Sequence, residues 1–145
     1  MIQELKIKNF LSFKEEAILN FEATKDTTFE DYQVVEVAPG TRLLRFALIY
    51  GANASGKSNL LYVIDYLHRF LFAVKEDIDK LTESVPFLLD TETPQQPSEI
   101  DLKFFVGDRK YWYILRLTQK RVISEKLYYY KSVQPTMLFS REFED

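Results

Sequence analysis

Eight residues, Gly51-Ala-Asn-Ala-Ser-Gly-Lys57-Ser58, fill every fixed position of the pattern G-x-x-x-x-G-K-[ST]. The chemistry of a bound polyphosphate explains these types. Its charge must be met by many donors at close range, and Gly51 and Gly56 allow backbone conformations and approaches that a side chain would block. The amides from about Asn53 to Ser58, through Ala54 and Ser55, then point inward as an anion nest at the positive end of a following helix. Lys57 reaches the β- and γ-phosphates, the Ser58 hydroxyl coordinates Mg²⁺, and the amide of Asn59 lies where an α-phosphate is contacted. An accidental match of this pattern is expected in roughly one of a few hundred chains of this size.

A nest of this kind needs a strand before it and a helix after it, and the flanks have that character. Leu43-Leu-Arg-Phe-Ala-Leu-Ile-Tyr50 is almost continuously apolar, which predicts a central strand covered on both faces. From Ser58 the period becomes helical. Leu60, Ile64, Leu67, Leu71 and Val74 form one stripe, widened by Leu61, Val63 and Phe70, and the helix is expected to run to about Glu76. Asp65 and Arg69 stand four apart on its polar side, where they can pair.

Upstream, Ile2 to Phe10 and Ala17 to Phe21 alternate with a period of two and predict an opening hairpin. Residues 24–42 are polar and irregular apart from Val34-Val-Glu-Val, and read as a surface insertion. Downstream, Thr91 to Ser98 is a loop rich in proline and glutamine. Ile100 to Val106, Tyr111 to Leu117 and Val122 to Tyr130 are strand-like runs separated by short turns, so residues 98–131 are expected to form an antiparallel meander.

The chain of 145 residues is 46% hydrophobic and has no cysteine. One ordinary domain with a sufficient core follows, while disulfides, thiolate metal sites and a cysteine nucleophile are excluded. The N-terminus lacks a secretory pattern, and Leu60 to Val74 is too short and too interrupted by charge to span a bilayer. A cytoplasmic location without membrane insertion is the expectation. The net charge of −3 conceals an excess of base in residues 101–131, where eight Lys/Arg face three acids. Such residues solvate strand edges and turns, and they also attract nucleic-acid phosphates.

Read together, Lys8-Asn9-Phe10-Leu-Ser12-Phe13, Leu48-Ile49 and Tyr50-Gly51-Ala-Asn-Ala-Ser-Gly-Lys-Ser-Asn-Leu60 resemble the RecF/SMC/OLD-like branch of ABC-type ATPases. The nearest likeness is to bacterial AAA-family ATP-binding proteins of the abortive-infection and anti-phage type. Pro86-Phe-Leu-Leu, Tyr111-Trp-Tyr and Ile123-Ser-Glu125-Lys-Leu-Tyr share in it, so it spans most of the chain. The resemblance implies an α/β P-loop NTPase of ABC type: the N-terminal lobe of an ATP-binding domain, with a mixed sheet and antiparallel meander around the Walker A helix. It also implies ATP and Mg²⁺ as ligands, a homodimer closing over two nucleotides in the complete protein, and nucleic acid or an effector protein as a partner. Some of Asn9, Phe10, Ser12 and Phe13 would lie near adenine or ribose, or the strand end would merely pack. Many relatives carry arginine where Leu11 stands, so the resemblance does not extend to a guanidinium contact from that position. No glutamine loop, signature motif, Walker B pair or switch histidine is placed, so residues 1–145 read as a single partial domain.

Several residues have the form of catalytic groups without the context. Phe87-Leu-Leu-Asp90-Thr-Glu92 looks like a strand ending in metal-binding acids, but Pro86, Pro94 and Pro97 make it a loop. Gln119 reads as a turn residue and His68 as a surface residue of the helix. Tyr111, Tyr113, Tyr128, Tyr129, Tyr130 and Trp112 are the aromatics that antiparallel sheets pack, and also types that stack on bases. Beside the ATPase stand a non-hydrolysing nucleotide-sensing or dimerisation module and another P-loop kinase or NTPase. The absence of an Asn-Lys-x-Asp motif counts against a GTPase.

Overall fold

The computed structural model describes residues 1–72 and 81–144. Strand β1 (Ile2–Lys8) buries Leu5 and Ile7 and pairs antiparallel with β2 (Ala17–Asn20), Leu5 opposite Leu19. Their alternating pattern is that of a half-buried hairpin, as expected. A single helical turn, α1 (Glu30–Gln33), leads into β3 (Val34–Ala38) and β4 (Thr41–Leu44), a two-stranded sheet of their own. The segment read as irregular is thus largely ordered. It is hooked to the end of β2 by bonds from the amides of Ala23 and Leu44 to the carbonyls of Arg42 and Phe21, and Leu43 is fully buried.

Helix α2 (Lys57–Phe72) follows the glycine-containing loop. A short 3₁₀ turn at Thr93–Gln95 precedes β5 (Ser98–Val106), β6 (Arg109–Leu117), β7 (Val122–Tyr130) and β8 (Pro135–Glu142). The main sheet has the order β2-β1-β5-β6-β7-β8, and every neighbouring pair is antiparallel. The meander of β5 to β7 matches the sequence expectation. β8 extends it by a strand that the reading from sequence does not contain.

The expected mixed sheet is corrected to an antiparallel one, and the reason lies in residues 45–50. Strand β4 stops at Leu44, and the apolar run beyond it forms no strand. Leu48 is 82% and Tyr50 93% exposed. An apolar run becomes a central strand only where neighbours supply hydrogen bonds on both edges and cover on both faces. Arg45 still gives its amide to the Gln33 carbonyl at 2.8 Å, but among the described residues no strand pairs with 46–50.

Helix α2 covers one face of the main sheet. Val63, Tyr66 and Leu67 join Leu5, Ile7, Phe10, Ile100, Tyr113, Leu115 and Leu117 in one buried cluster, with Leu60, Ile64 and Phe70 at its margin. The buried stripe is therefore rotated from the expected one: Leu61 and Leu71 are exposed, and Tyr66 is inside. Tyr66 is admitted because its hydroxyl donates to the Thr82 carbonyl at 3.0 Å while its ring packs 5.1 Å from Phe10. Tyr113 likewise donates to Glu125 at 2.6 Å, and Arg141 closes the array by pairing with Glu125 at 2.7 Å. Burial pushes both phenols upward from their ordinary pKa, so they act as donors throughout the physiological range. Asp65 and Arg69 pair at 3.0 Å as their spacing predicts. Val74 and the expected helix end at Glu76 lie outside the described residues.

The end of β1 is fixed by Asn9. It sits in the left-handed region at φ 50, a conformation that asparagine tolerates better than most residues, and is 2% exposed. Its side-chain amide donates to the carbonyls of Thr93 (2.8 Å), Gln96 (2.9 Å) and Pro97 (3.2 Å), and its Oδ1 accepts from the amide of Phe87 at 3.0 Å. Ser98 donates to its backbone carbonyl at 2.6 Å. Asn9→Ala leaves several backbone groups without partners and puts a Cβ-only residue in the left-handed region, so denaturant unfolding should show a loss of about 2–4 kcal/mol.

Candidate functional site: the glycine loop before α2

Residues 51–56 form a loop whose shape rests on two left-handed positions, Ala54 at φ 62 and Gly56 at φ 88. Gly56 accepts the first α-helical hydrogen bond, from the amide of Leu60 at 3.1 Å. The amides of Lys57, Ser58 and Asn59 thus have no partner within the helix and carry the positive end of its dipole. No acid occupies the first turn to compete with an anion there. Ala54, Ser55, Gly56, Lys57, Ser58 and Asn59 line one open depression of about 280 Å³. Gly51 and Asn53 belong to the same loop but not to that lining.

Both glycines meet a close approach. A Cβ on Gly51 would stand 3.0 Å from Ser55 Oγ, and one on Gly56 would stand 3.0 Å from Ser12 Oγ and 3.9 Å from the Phe13 ring. The positive φ of Gly56 adds backbone strain for any larger residue. The Lys57 ammonium folds over its own loop, donating to the carbonyls of Gly51 (2.8 Å) and Ala52 (2.5 Å) and to Ser55 Oγ (3.3 Å). A cation held over two carbonyl dipoles next to unpaired amides is a donor set suited to phosphate oxygens, which bind an ammonium more strongly than neutral carbonyls do.

The residues of the opening motif divide into two groups. Asn9 and Phe10 are each 2% exposed, the first bound to loop backbone and the second packed on Tyr66, so neither is available to a nucleotide. Ser12 and Phe13 lie against Gly56. Leu11, at φ 51, gives its amide to the Val85 carbonyl at 2.8 Å and packs on the core cluster.

The acid-bearing loop is placed by a contact that sequence spacing could not reveal. Lys14 and Asp90 pair at 2.5 Å, and Asp90 also accepts from the amides of Glu92 (2.8 Å) and Thr93 (3.4 Å). The Lys14 hydrogen bond and these amides hold the Asp90 carboxyl down at about 2. Its oxygens are engaged in holding the loop. Gln119 lies in the β6–β7 turn, its carbonyl accepting the Thr82 amide at 3.0 Å, and His68 is an exposed residue of α2 beside the Phe72 ring at 5.3 Å. Among the described residues no group of three or more His, Asp or Glu is arranged to hold a metal ion. No helix there is long and apolar enough to cross a membrane.

Residues 46–145 match the family model described as "AAA domain, putative AbiEii toxin, Type IV TA system". The match covers more than half of the chain, begins just before the glycine loop and takes in α2 and the whole meander, and the chain belongs to this AAA family. Membership places it among nucleotide-binding, ATPase-like proteins, a family that in general uses ATP and Mg²⁺. The comparison with curated proteins gives no match.

The Asp90 clasp has a pH signature. Because the folded carboxyl is depressed below its unfolded value of 3.8, its stabilising effect is fully present above that value and fades as pH falls toward about 2. Carboxyl NMR titration should place Asp90 near 2 in the native chain and higher in Lys14→Met. An unchanged titration would show that Lys14 is not the cause.

Proposed function

We propose that the loop at residues 51–58 binds the phosphates of ATP with Mg²⁺. On this reading the chain serves as the N-terminal part of an ABC-type, RecF/SMC/OLD-like ATPase of the abortive-infection or anti-phage type. The observation that carries the reading is the coincidence, at one helix start, of unpaired amides, a glycine at φ 88 packed under Ser12 and a lysine resting on loop carbonyls. Lys57 leaves those carbonyls for the β- and γ-phosphate oxygens. Asn53, Ala54, Ser55, Gly56 and Asn59 contribute backbone around the chain of phosphates, Gly51 gives the loop its close entry, and the Ser58 hydroxyl takes one Mg²⁺ position. Mg²⁺ would offset the polyphosphate charge and bridge its oxygens.

A complete cycle also needs a carboxylate or amide to orient the attacking water. Asp90 is bound to Lys14 and two amides, which supports assigning that role to residues other than this loop. Hydrolysis then belongs to the complete protein, closed as a cytoplasmic homodimer and acting on nucleic acid or an effector protein. The same commitment of Asp90 favours, as a second reading, a module that senses nucleotide or dimerises without turnover. Another P-loop kinase or NTPase is the remaining alternative.

Isothermal titration should show weak MgATP binding by the 145-residue chain, lost in Lys57→Ala with the circular dichroism unchanged and retained in Asp90→Ala. Equal affinity in Lys57→Ala would remove the loop from the site. Phosphate release should stay at the Lys57→Ala background across a concentration series. Robust turnover lost in that variant would return Asp90, Glu92 and Gln119 to consideration as catalytic groups.

A further inference from the structure

The face of the main sheet opposite α2 carries a second cluster of chemistry, at the end of the strands remote from the glycine loop. The register sets Glu4, Lys103, Trp112, Tyr128 and Met137 side by side in one row across β1, β5, β6, β7 and β8. Side chains alternate between faces along each strand, so this row and the neighbouring Lys110 and Tyr130 lie on the face away from Tyr113 and Leu115. Trp112 and Tyr128 are neighbours at 5.5 Å between ring centroids, and the Lys103 ammonium stands 5.9 Å from the indole. Lys110 stands 5.0 Å from the Tyr130 ring. At the same end but on the face of Tyr113, Arg109 and Lys131 approach Tyr129 at 5.8 and 5.5 Å.

We propose that this row of half-buried aromatics and interleaved cations is a platform for single-stranded nucleic acid. The charge balance selects a polyanion. Of the cations at this end of the sheet, Arg109 and Lys131 have no ion-pair partner among the described residues, whereas Lys126 and Arg141 further along are neutralised by Glu142 and Glu125. Glu4 neutralises Lys103 at 2.8 Å, whereas Lys110 has no ion-pair partner among the described residues. Burial and then the nearby Lys103 charge lower the Lys110 pKa, the charges of Glu22 and Glu4 offset this only in part, and a phosphate in contact with the ammonium completes the compensation. The aromatics select the strandedness. Duplex bases are stacked on each other, while unpaired bases are free to stack on Trp112, Tyr128 and Tyr130, with backbone phosphates meeting the lysines between them. Stacking needs no particular base, so length and charge rather than sequence govern binding.

The sole tryptophan of the chain is Trp112, which makes the platform self-reporting. Unlabelled oligo-dU and oligo-U, each about 12 nucleotides to span a site of the usual size, are titrated into the full chain while indole emission is followed. A hairpin duplex of equal charge serves as comparison. Quenching by either single strand, weaker with the duplex and reduced by salt, is the expected result, and the better of the two identifies the sugar. Lys110→Glu should weaken binding at least about fivefold and lower the salt dependence by close to one phosphate contact, with MgATP binding unchanged. Tyr128→Ala should lose a similar or larger factor and Tyr128→Phe should retain affinity, since the ring and not the hydroxyl stacks. No binding by either single strand, a duplex bound as tightly, or Lys110→Glu binding like the native chain would each overturn the proposal.

Discussion

The amide of Asn9 sets the geometry on which the candidate site depends. A buried side chain with both donors and its acceptor in use tolerates one position, and here that position ties the end of β1 to the backbone at residues 87, 93, 96 and 97. Everything from Phe10 to Lys14 is then aimed. Phe10 drops onto Tyr66 of α2, Leu11 hands its amide to Val85, Ser12 and Phe13 abut Gly56, and Lys14 grips Asp90. One tight turn thereby touches the core, the proline-rich loop and the glycine loop. The phosphate-binding geometry proposed for residues 51–58 is supported from outside the loop as well as by its own glycines.

What was legible from residue order alone follows a physical rule: local periodicity and local turns are written in adjacent residues, and pairings at long range are not. The hairpin of β1 and β2 and the meander of β5 to β7 alternate with period two and are broken by short turns, and both were recoverable. The glycine loop and the start of α2 were legible because the motif is contiguous. Residues 43–50 misled because apolarity announces a wish for cover without naming what covers it. The helix stripe was misplaced for a related reason, since Tyr66 counts as polar in a periodicity until the Thr82 carbonyl is seen to satisfy its hydroxyl. Asn9 with residues 87–97, and Lys14 with Asp90, are pairs separated by more than seventy positions, for which one sequence contains no signal. Strand β8, with all its residues exposed, lacks the one-sided pattern that marks a strand against a core.

Lys57 shows how the loop holds its form and remains responsive. Two carbonyls and a hydroxyl satisfy its ammonium, so the unliganded loop does not leave a bare cation at the helix start where the dipole would repel it. In the proposed binding, exchange of those neutral acceptors for phosphate oxygens would replace bonds charged on one side by bonds charged on both, and the loop carbonyls would return to solvent, to which they are already exposed. The net driving force is the difference between two occupied states and not the full strength of an ion pair, which is why a lone loop of this kind should grip nucleotide weakly until further groups close over it.

The two proposed binding regions stand at opposite ends of the same strands. Ser12 and Gly56 adjoin the end of β1 where Lys8 faces Glu99, while the aromatic row adjoins the end where Ile2 faces Phe104. The row crosses β1 at Glu4, four residues before its Lys8 end, so at least about 13 Å of strand lies between the two regions, more than one Debye length at physiological ionic strength, and solvent screens much of the interaction between their charges. They also lie toward different faces, since α2 covers the side of Leu115 and the row lies on the side of Trp112. No side chain is common to both. A nucleotide at one end and a single strand at the other would influence each other only through a shift of the β5 to β7 backbone as a body. In a sheet paired on both sides of those strands such a shift has to move the whole core cluster, and small local adjustments at either end stay local.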